Sequence, residues 1–195
     1  MRVWLKFCGF CDPTDLSLAV ALGVDAVGLV CVPDSPRGVS RRELAKLAAV
    51  PRGSSQLVLV FQNPSSDYVQ ECLAIVEPDV LQFHGDERPE FAESFDYVYI
   101  KAVRGRQQIG MFHAHTEADA WLIDDADYER NDLLQAAETP LILAGGLTPD
   151  NVQTRIRAVQ PYGVDVARGI ELEPRKKDPI KMIAFNHAVR SLVNE

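Results

Sequence analysis

The sequence lacks long apolar runs and lacks any excess of positive charge. Among its 195 residues, 20 are Lys or Arg and 28 are Asp or Glu, which gives a formal net charge of −8. A helix that spans a bilayer needs about 20 consecutive apolar residues, and no stretch here approaches that length. Proteins that bind nucleic acid cluster basic side chains against the phosphates. The composition therefore predicts neither a membrane span nor a nucleic-acid partner.

Cysteine is also scarce, with only Cys8, Cys11, Cys31 and Cys72 in the chain. Cys8 and Cys11 form a C-x-x-C pair, but no second pair or histidine cluster completes a zinc site, so we expect no metal. The stretch before Cys8 is too short for the apolar core of a signal peptide. We therefore expect a cytoplasmic protein with reduced thiols, in which Cys31 and Cys72 are small core residues.

No linker or low-complexity segment divides the chain, so residues 1–195 are predicted to form one domain. Short apolar runs alternate with amphipathic stretches, and this alternation predicts parallel strands joined by helices. The predicted strands are Val3–Phe7, Ala26–Val30, Gln56–Phe61, Val80–Phe83, Tyr97–Lys101, Ala120–Ile123, Leu141–Ala144 and Gly163–Val166. The predicted helices are Pro13–Leu22, Ser40–Ala49, Ser65–Val76, Glu87–Ser94, Arg106–His115, Asn131–Ala137, Pro149–Val159 and Pro179–Val193. Eight evenly spaced strand–helix units favour an α/β fold of the (β/α)8 TIM-barrel type over an open doubly wound sheet.

In such a barrel the active site lies at the C-terminal ends of the strands. Cys8 stands at the end of the first predicted strand. Gly145-Gly146 stands between the seventh strand and a helix, a geometry that binds phosphate through backbone N–H groups. A thiol and a phosphate cradle on the same face indicate an enzyme that acts on a phosphorylated small molecule. Other residues that follow the predicted strands, and are therefore expected on this face, are Arg37, His84, Asp86, Lys101, Arg104, Asp124, Asp125, Arg168 and Gly169.

Several of these segments together resemble the phosphoribosylanthranilate isomerase family of tryptophan biosynthesis. The segments are Lys6–Gly9, Gly28 with Ser35–Arg37, Leu81–Glu87, Leu141–Val152 and Arg157–Val166. The resemblance implies a TIM barrel that performs an Amadori rearrangement without a cofactor. It also implies that Cys8 is the general base, Asp124 the general acid and Arg37 the ligand of the anthranilate carboxylate. Gly145, Gly146 and Gly169 would hold the phosphate.

The chemistry of these residue types is compatible with those roles. A thiolate can accept a proton from carbon, but the ordinary pKa of a cysteine lies above neutrality, so Cys8 needs positive potential nearby. Asp124 needs a raised pKa, from burial or from a neighbouring carboxylate, to act as an acid. Since consecutive strand residues point to opposite faces, either Asp124 or Asp125 faces the barrel mouth, and the resemblance selects Asp124.

The chain departs from the family pattern at two loops. The family follows its aspartate with a glycine-rich stretch that closes over the substrate, whereas residues 124–133 here contain no glycine and the loop is several residues shorter. After the eighth strand, Ala167-Arg168-Gly169 replaces Ser-Ser-Gly. Two hydroxyls are lost and one positive charge is gained, so Arg168 is expected to contact the phosphate.

Two other functions are compatible with parts of this pattern. Lys101 would serve as the Schiff-base residue of an aldolase-type barrel, and a non-catalytic protein would retain the phosphate cradle without turnover. His84 is expected to be a structural hydrogen-bonding residue at the barrel mouth rather than a metal ligand. A phosphorylated small molecule is the expected partner, and a monomer is the default oligomeric state.

Overall fold

The structure, a computed structural model, describes residues 2–104, 106–125 and 139–192. Its main sheet contains eight parallel strands that pair in chain order, with the eighth pairing with the first. The strands are β1 (Trp4–Cys8), β2 (Ala26–Val30), β3 (Gln56–Phe61), β4 (Val80–Phe83), β5 (Tyr99–Arg104), β6 (Ala120–Asp124), β7 (Leu141–Ala144) and β8 (Gly163–Val166). The sheet is therefore a closed (β/α)8 barrel, and the predicted fold class is confirmed.

One strand boundary was wrong in a way that affects the site. The fifth strand was predicted to end at Lys101, but β5 continues to Arg104. A charged residue normally marks the end of an apolar run, so the strand was predicted to end at Lys101. In the structure this side chain is fully buried and paired with Glu87. Lys101 thus lies within a strand and does not belong to the loop that follows it.

The helices follow most of the predicted boundaries. They are α1 (Pro13–Ala21), α2 (Arg41–Ala48), α3 (Ser66–Leu73), α4 (Pro89–Glu93), α5 (Val152–Val159) and α6 (Pro179–Ser191), with 3-10 helices at Arg106–Ala114 and Arg168–Ile170. Asp12 caps α1, and Ser40 with Glu43 forms the predicted capping box of α2. The predicted helix Asn131–Ala137 lies outside the described residues. Because a proline is preorganised for the first helical position, α4 begins at Pro89 rather than at Glu87.

A short antiparallel hairpin follows β8 and was not predicted. Its strands are β9 (Glu171–Glu173) and β10 (Lys176–Lys177). Four of the five residues in these two short strands are charged, so the sequence carries little strand signal there. In the chain the hairpin lies between β8 and α6, and two of its side chains reach the site described below.

Side chains alternate between the inside and the outside of the barrel. The inward residues of β1–β7 include small or branched side chains such as Ala26, Val58, Ala102 and Leu122. The outward residues pack against the surrounding helices in a larger apolar cluster. No helix in the described part of the chain is long and apolar enough to cross a membrane.

Candidate active site

A cavity of about 860 Å³ opens at the C-terminal face of the barrel. Residues at the ends of several strands line it, as parallel strand direction in a barrel requires. They include Cys8 of β1, Val30 of β2, Arg104 of β5, Asp124 of β6 and Ala144 of β7. The cavity therefore occupies the face on which the sequence placed the reactive residues.

Cys8 is the last residue of β1 and its side chain points inward to the cavity floor. The residue is only 6% exposed, and this burial raises the pKa of its thiol above the ordinary value. The Lys6 ammonium acts in the opposite direction and lowers that pKa. Gly9 follows with φ +79°, and a Cβ there would lie 2.7 Å from Cδ of Arg37. The turn after Cys8 thus allows the Arg37 side chain to pack against the backbone at Gly9.

Asp124 ends β6 and also lines the cavity, whereas Asp125 is not among the lining residues described. The strand alternation therefore places the predicted carboxylate, and not its neighbour, toward the mouth. Burial raises the pKa of Asp124, and the Asp165 carboxylate raises it further. Arg104 and Arg168 lower it but do not reverse the shift. A raised pKa is the property that a carboxylic acid needs in order to donate a proton.

His84 lies beside Asp124, with 3.6 Å between Nε2 of the imidazole and Oδ2 of the carboxylate. Burial, assisted by the charge of Arg104, lowers the pKa of His84 to about 4. The imidazole is therefore neutral near pH 7. Nε2 is buried and has no hydrogen-bond partner among the described residues. The separation exceeds a normal hydrogen bond, so the predicted hydrogen-bonding role is not seen for this atom.

Arg37 lies in the loop after β2 and lines the cavity. Its Nε and Nη2 donate to the two carboxylate oxygens of Glu171 at 2.7 and 2.6 Å. Lys177 donates to the same carboxylate at 2.9 Å and to the backbone oxygen of Cys8 at 2.6 Å. The bidentate contact with Glu171 fixes the plane of the Arg37 guanidinium at the cavity wall.

Glu171 and Lys177 were not identified from the sequence as site residues. Both come from the hairpin, and Glu171 is 134 positions away from Arg37. No local spacing pattern signals a contact over that distance. A charged Glu and a charged Lys within a predicted loop normally remain solvated, whereas these two side chains are only 3% and 1% exposed.

The glycines predicted to bind phosphate lie on two loops that contact each other. Gly145 and Gly146 have φ values of +85° and +61°, which permit the sharp turn after β7. A Cβ at Gly169 would lie 1.8 Å from the carbonyl oxygen of Leu147, so glycine alone allows the β8 loop to approach the β7 loop. All three glycines line the cavity, as does the exposed Arg168. The helix that follows starts at Val152 rather than at Pro149.

Lys101 is placed away from the cavity. Its strand neighbours Ile100 and Ala102 point into the barrel, so Lys101 points outward. Its Nζ donates to Gly85 O at 2.6 Å and to Glu87 at 2.8 Å. Cys31 and Cys72 are buried, as predicted. Among the residues that the structure describes, no group of three or more His, Cys, Asp or Glu side chains could hold a metal ion.

Comparison with known proteins identifies the family. The family model for N-(5'-phosphoribosyl)anthranilate (PRA) isomerase matches residues 5–188. The chain belongs to the PRA isomerase family. It is 36% identical to the N-(5'-phosphoribosyl)anthranilate isomerase of Nitrosococcus oceani, over 98% of this chain and 100% of that protein. The enzyme of that name from Neisseria gonorrhoeae is 38% identical, over 94% of this chain and 95% of its own length.

Solved structures of PRA isomerases have the same fold. One is a crystal structure of phosphoribosyl anthranilate isomerase in complex with reduced 1-(o-carboxyphenylamino)-1-deoxyribulose 5-phosphate. It superposes with a TM-score of 0.89 at 28% identity, covering 97% of this chain and 100% of that one. The resemblance on which the sequence interpretation depended is therefore confirmed at the level of family and fold.

Proposed function

We propose that the chain isomerises N-(5'-phosphoribosyl)anthranilate to 1-(2-carboxyphenylamino)-1-deoxyribulose 5-phosphate in tryptophan biosynthesis. The observation that carries this function is that Cys8, Asp124 and the Gly145–Gly146 turn line the same cavity. An acid, a base and an anion cradle are the three elements that an Amadori rearrangement of a phosphosugar requires. Membership of the PRA isomerase family supports the same substrate.

Asp124 acts first, as the general acid. Its proton passes to the ribose ring oxygen while the bond from C1 to that oxygen breaks. The lone pair of the anthranilate nitrogen forms the C1=N bond, which gives a protonated Schiff base and leaves Asp124 as the carboxylate. The raised pKa of Asp124 supports this role, because it increases the protonated fraction available near neutral pH.

Cys8 then acts as the general base. Its thiolate takes the proton from C2, and the electron pair of that bond forms C1=C2 while the C1=N pair returns to nitrogen. The resulting enolamine gains a proton at C1 and loses the proton of its C2 hydroxyl, which produces the ketone. C2 is oxidised and C1 is reduced within one molecule, so the reaction is an internal oxidation–reduction of the aldose–ketose type. This balance requires no external electron acceptor, so the proposed mechanism needs no redox cofactor.

Substrate binding is assigned to the two ends of the cavity. Arg37 binds the anthranilate carboxylate, and Gly145, Gly146 and Gly169 bind the phosphate through backbone N–H groups. Arg168 contributes a charge-assisted contact to the same phosphate. The protein is proposed to be a cytoplasmic, single-domain monomer. The Schiff-base aldolase alternative is disfavoured because Lys101 points away from the cavity and is paired with Glu87.

The test is complementation of a tryptophan auxotroph that lacks this isomerase, followed by assays of the purified protein. Cys8→Ala and Asp124→Asn should each lower kcat by about 10²- to 10⁴-fold, the usual contribution of general acid–base catalysis. Cys11→Ala and Asp125→Asn are matched controls and should retain activity. Wild-type turnover in Cys8→Ala would refute the proposed base. Product binding without turnover by the wild-type chain would instead establish a non-catalytic phosphosugar-binding protein.

A further inference from the structure

A buried ion pair lies directly beneath the proposed base and has no role in the mechanism above. Lys6 is 0% exposed, and its Nζ donates to Oδ1 of Asp165 at 3.0 Å. The strand register explains the contact, since Lys6 of β1 is paired with Asp165 of β8. Lys6 is two residues before Cys8, so both side chains point into the barrel. Asp165 lines the cavity, whereas Lys6 is not among the lining residues described.

Gly28 leaves the space in which the ammonium and the thiol approach each other. The residue lies opposite Cys8 in the register between β1 and β2. A Cβ at Gly28 would lie 2.7 Å from Sγ of Cys8 and 3.2 Å from Nζ of Lys6. A side chain at this position would therefore intrude between the two groups. Because Gly28 has no side chain, the Lys6 ammonium can lie close to the buried sulfur atom of Cys8.

The ion pair is difficult to explain by stability alone. A buried salt bridge carries a large desolvation cost, and apolar residues of similar volume are often equally or more stable. The neighbouring inward positions of the barrel are filled by apolar side chains such as Ala26 and Val58. Burial favours the neutral amine, but the Asp165 carboxylate and the Cys8 sulfur together outweigh it and raise the pKa of Lys6. The side chain is therefore a fixed positive charge.

Among the described residues, the Cys8 thiol interacts electrostatically with Lys6, Lys177, Asp165 and Arg37. Lys6 and Lys177 favour the thiolate, Asp165 opposes it, and Cys8 in turn raises the pKa of Arg37. Lys177 and Arg37 share the carboxylate of Glu171, which offsets part of their charge. Lys6 lowers the pKa of Cys8 more than Asp165 raises it. The Lys6–Asp165 pair thus gives a net stabilisation of the thiolate.

We propose that Lys6 is a positioning residue whose buried ammonium, held by Asp165, stabilises the thiolate form of Cys8 that accepts the substrate proton. The role of Lys6 rests on the proposed function of Cys8 as the base. Asp165 adds a second effect, because its carboxylate also raises the pKa of Asp124. One ion pair therefore shifts the base toward its charged form and the acid toward its neutral form, as each role requires.

The test measures the ionisation of Cys8 without substrate. In a Cys11→Ser background, the rate of Cys8 alkylation by iodoacetamide is followed against pH by peptide mass spectrometry. Lys6→Met with Asp165→Asn removes both charges and avoids leaving one of them unpaired. The pH midpoint should rise by about one unit or more, so that alkylation at a fixed lower pH slows about tenfold. The exposed Lys46→Met serves as the control and should leave the midpoint unchanged.

Gly28→Ala is a second variant that keeps every charge. Its methyl group would separate Sγ of Cys8 from Nζ of Lys6, so the midpoint should rise here too. If the double variant does not fold, Gly28→Ala decides the question. An unchanged midpoint in the folded variants would overturn the role of Lys6, even if Cys8→Ala still abolishes turnover. A raised midpoint in a protein without isomerase activity would support the electrostatic role and refute only the proposed function.

Discussion

Arg37 and Glu171 form a two-pronged ion pair across the cavity wall, with donor–acceptor distances of 2.7 and 2.6 Å. Burial alone would raise the pKa of Glu171, but Arg37 and Lys177 outweigh it and lower the pKa below the ordinary value. The contact orients the guanidinium proposed to bind the anthranilate carboxylate. The segment after β8 thus contributes to both ends of the proposed substrate site, since Arg168 and Gly169 directly precede Glu171 in the chain.

Glu171→Gln should weaken substrate binding more than it slows chemistry. The Gln side chain is neutral and has one acceptor oxygen, so it cannot accept from both Nε and Nη2 of Arg37 as the carboxylate does. The guanidinium then loses its fixed orientation, and KM rises more than kcat falls. Loss of a charge-assisted hydrogen bond should also lower the free energy of unfolding by about 2 kcal/mol. Steady-state kinetics and urea unfolding measure both effects. Glu173→Gln, at an exposed residue of β9, is the matched control. Equal increases in KM and equal losses of stability in Glu171→Gln and Glu173→Gln would contradict the proposal that Glu171 orients Arg37.

The strands and the residues at their ends could be predicted because both are local signals. Short apolar runs at regular spacing specify the strands, and parallel direction then places Cys8, Asp124 and Gly145 on one face. The network of Arg37 with Glu171 and Lys177 gives no such signal. It depends on a contact between residues far apart in the chain and on a hairpin too short to show alternation.

Lys101 illustrates a different limit of prediction from sequence. Its position in the chain is compatible with either the end of β5 or a reactive lysine in the following loop. Only the partner decides between these, and that partner, Glu87, belongs to the loop after β4. Burial of a lysine is favourable only when such a partner exists, and single-sequence patterns do not identify it.

His84 should make the protein less stable as the pH falls from 6.5 to 4. Its folded-state pKa of about 4 lies below the ordinary 6.5. Since the unfolded chain then binds the proton more readily, stability is present above pH 6.5 and is lost as the pH falls through this window. The lowered pKa corresponds to about 3 kcal/mol at most. Urea unfolding of His84→Asn should show a shallower loss over the same range. The exposed His187→Asn should follow the wild-type curve, and identical slopes in all three proteins would contradict this account.

Arg175 connects the hairpin to the loop that carries Arg37. Its Nη1 donates to Gly38 O and its Nη2 to Glu43, both at 2.6 Å, although its φ of +76° is unfavourable for a residue with a side chain. Arg175→Ala and Arg175→Gly both remove the contacts, but only glycine relieves the backbone. We expect KM to rise similarly in both, while the alanine variant is less stable by about 1 kcal/mol. A wild-type KM in both variants would show that this contact does not position Arg37.

Arg168→Ala should raise KM for the phosphorylated substrate far more than it lowers kcat. A charge-assisted contact contributes about 1.5–3 kcal/mol, which corresponds to about a 10- to 100-fold increase in KM. Arg168→Lys keeps the charge and should recover part of the loss. Arg168 also lowers the pKa of Asp124, so the alanine variant should extend activity to higher pH. An unchanged KM with only the pH profile shifted would remove Arg168 from the phosphate site and assign it to the acid.

Gly169→Ala should separate the two loops of the phosphate cradle. The added Cβ would lie 1.8 Å from the carbonyl oxygen of Leu147 and 2.9 Å from its carbon. Both are backbone atoms, so no side-chain rotation relieves the clash and the β8 loop must move away from the Gly145–Gly146 turn. KM should rise about tenfold or more, equivalent to about 1.4 kcal/mol, and inhibition by inorganic phosphate should weaken in parallel. Gly110→Ala is the control, since a Cβ there meets nothing within 4 Å. If phosphate inhibition persists unchanged in Gly169→Ala, the phosphate does not bind between these loops.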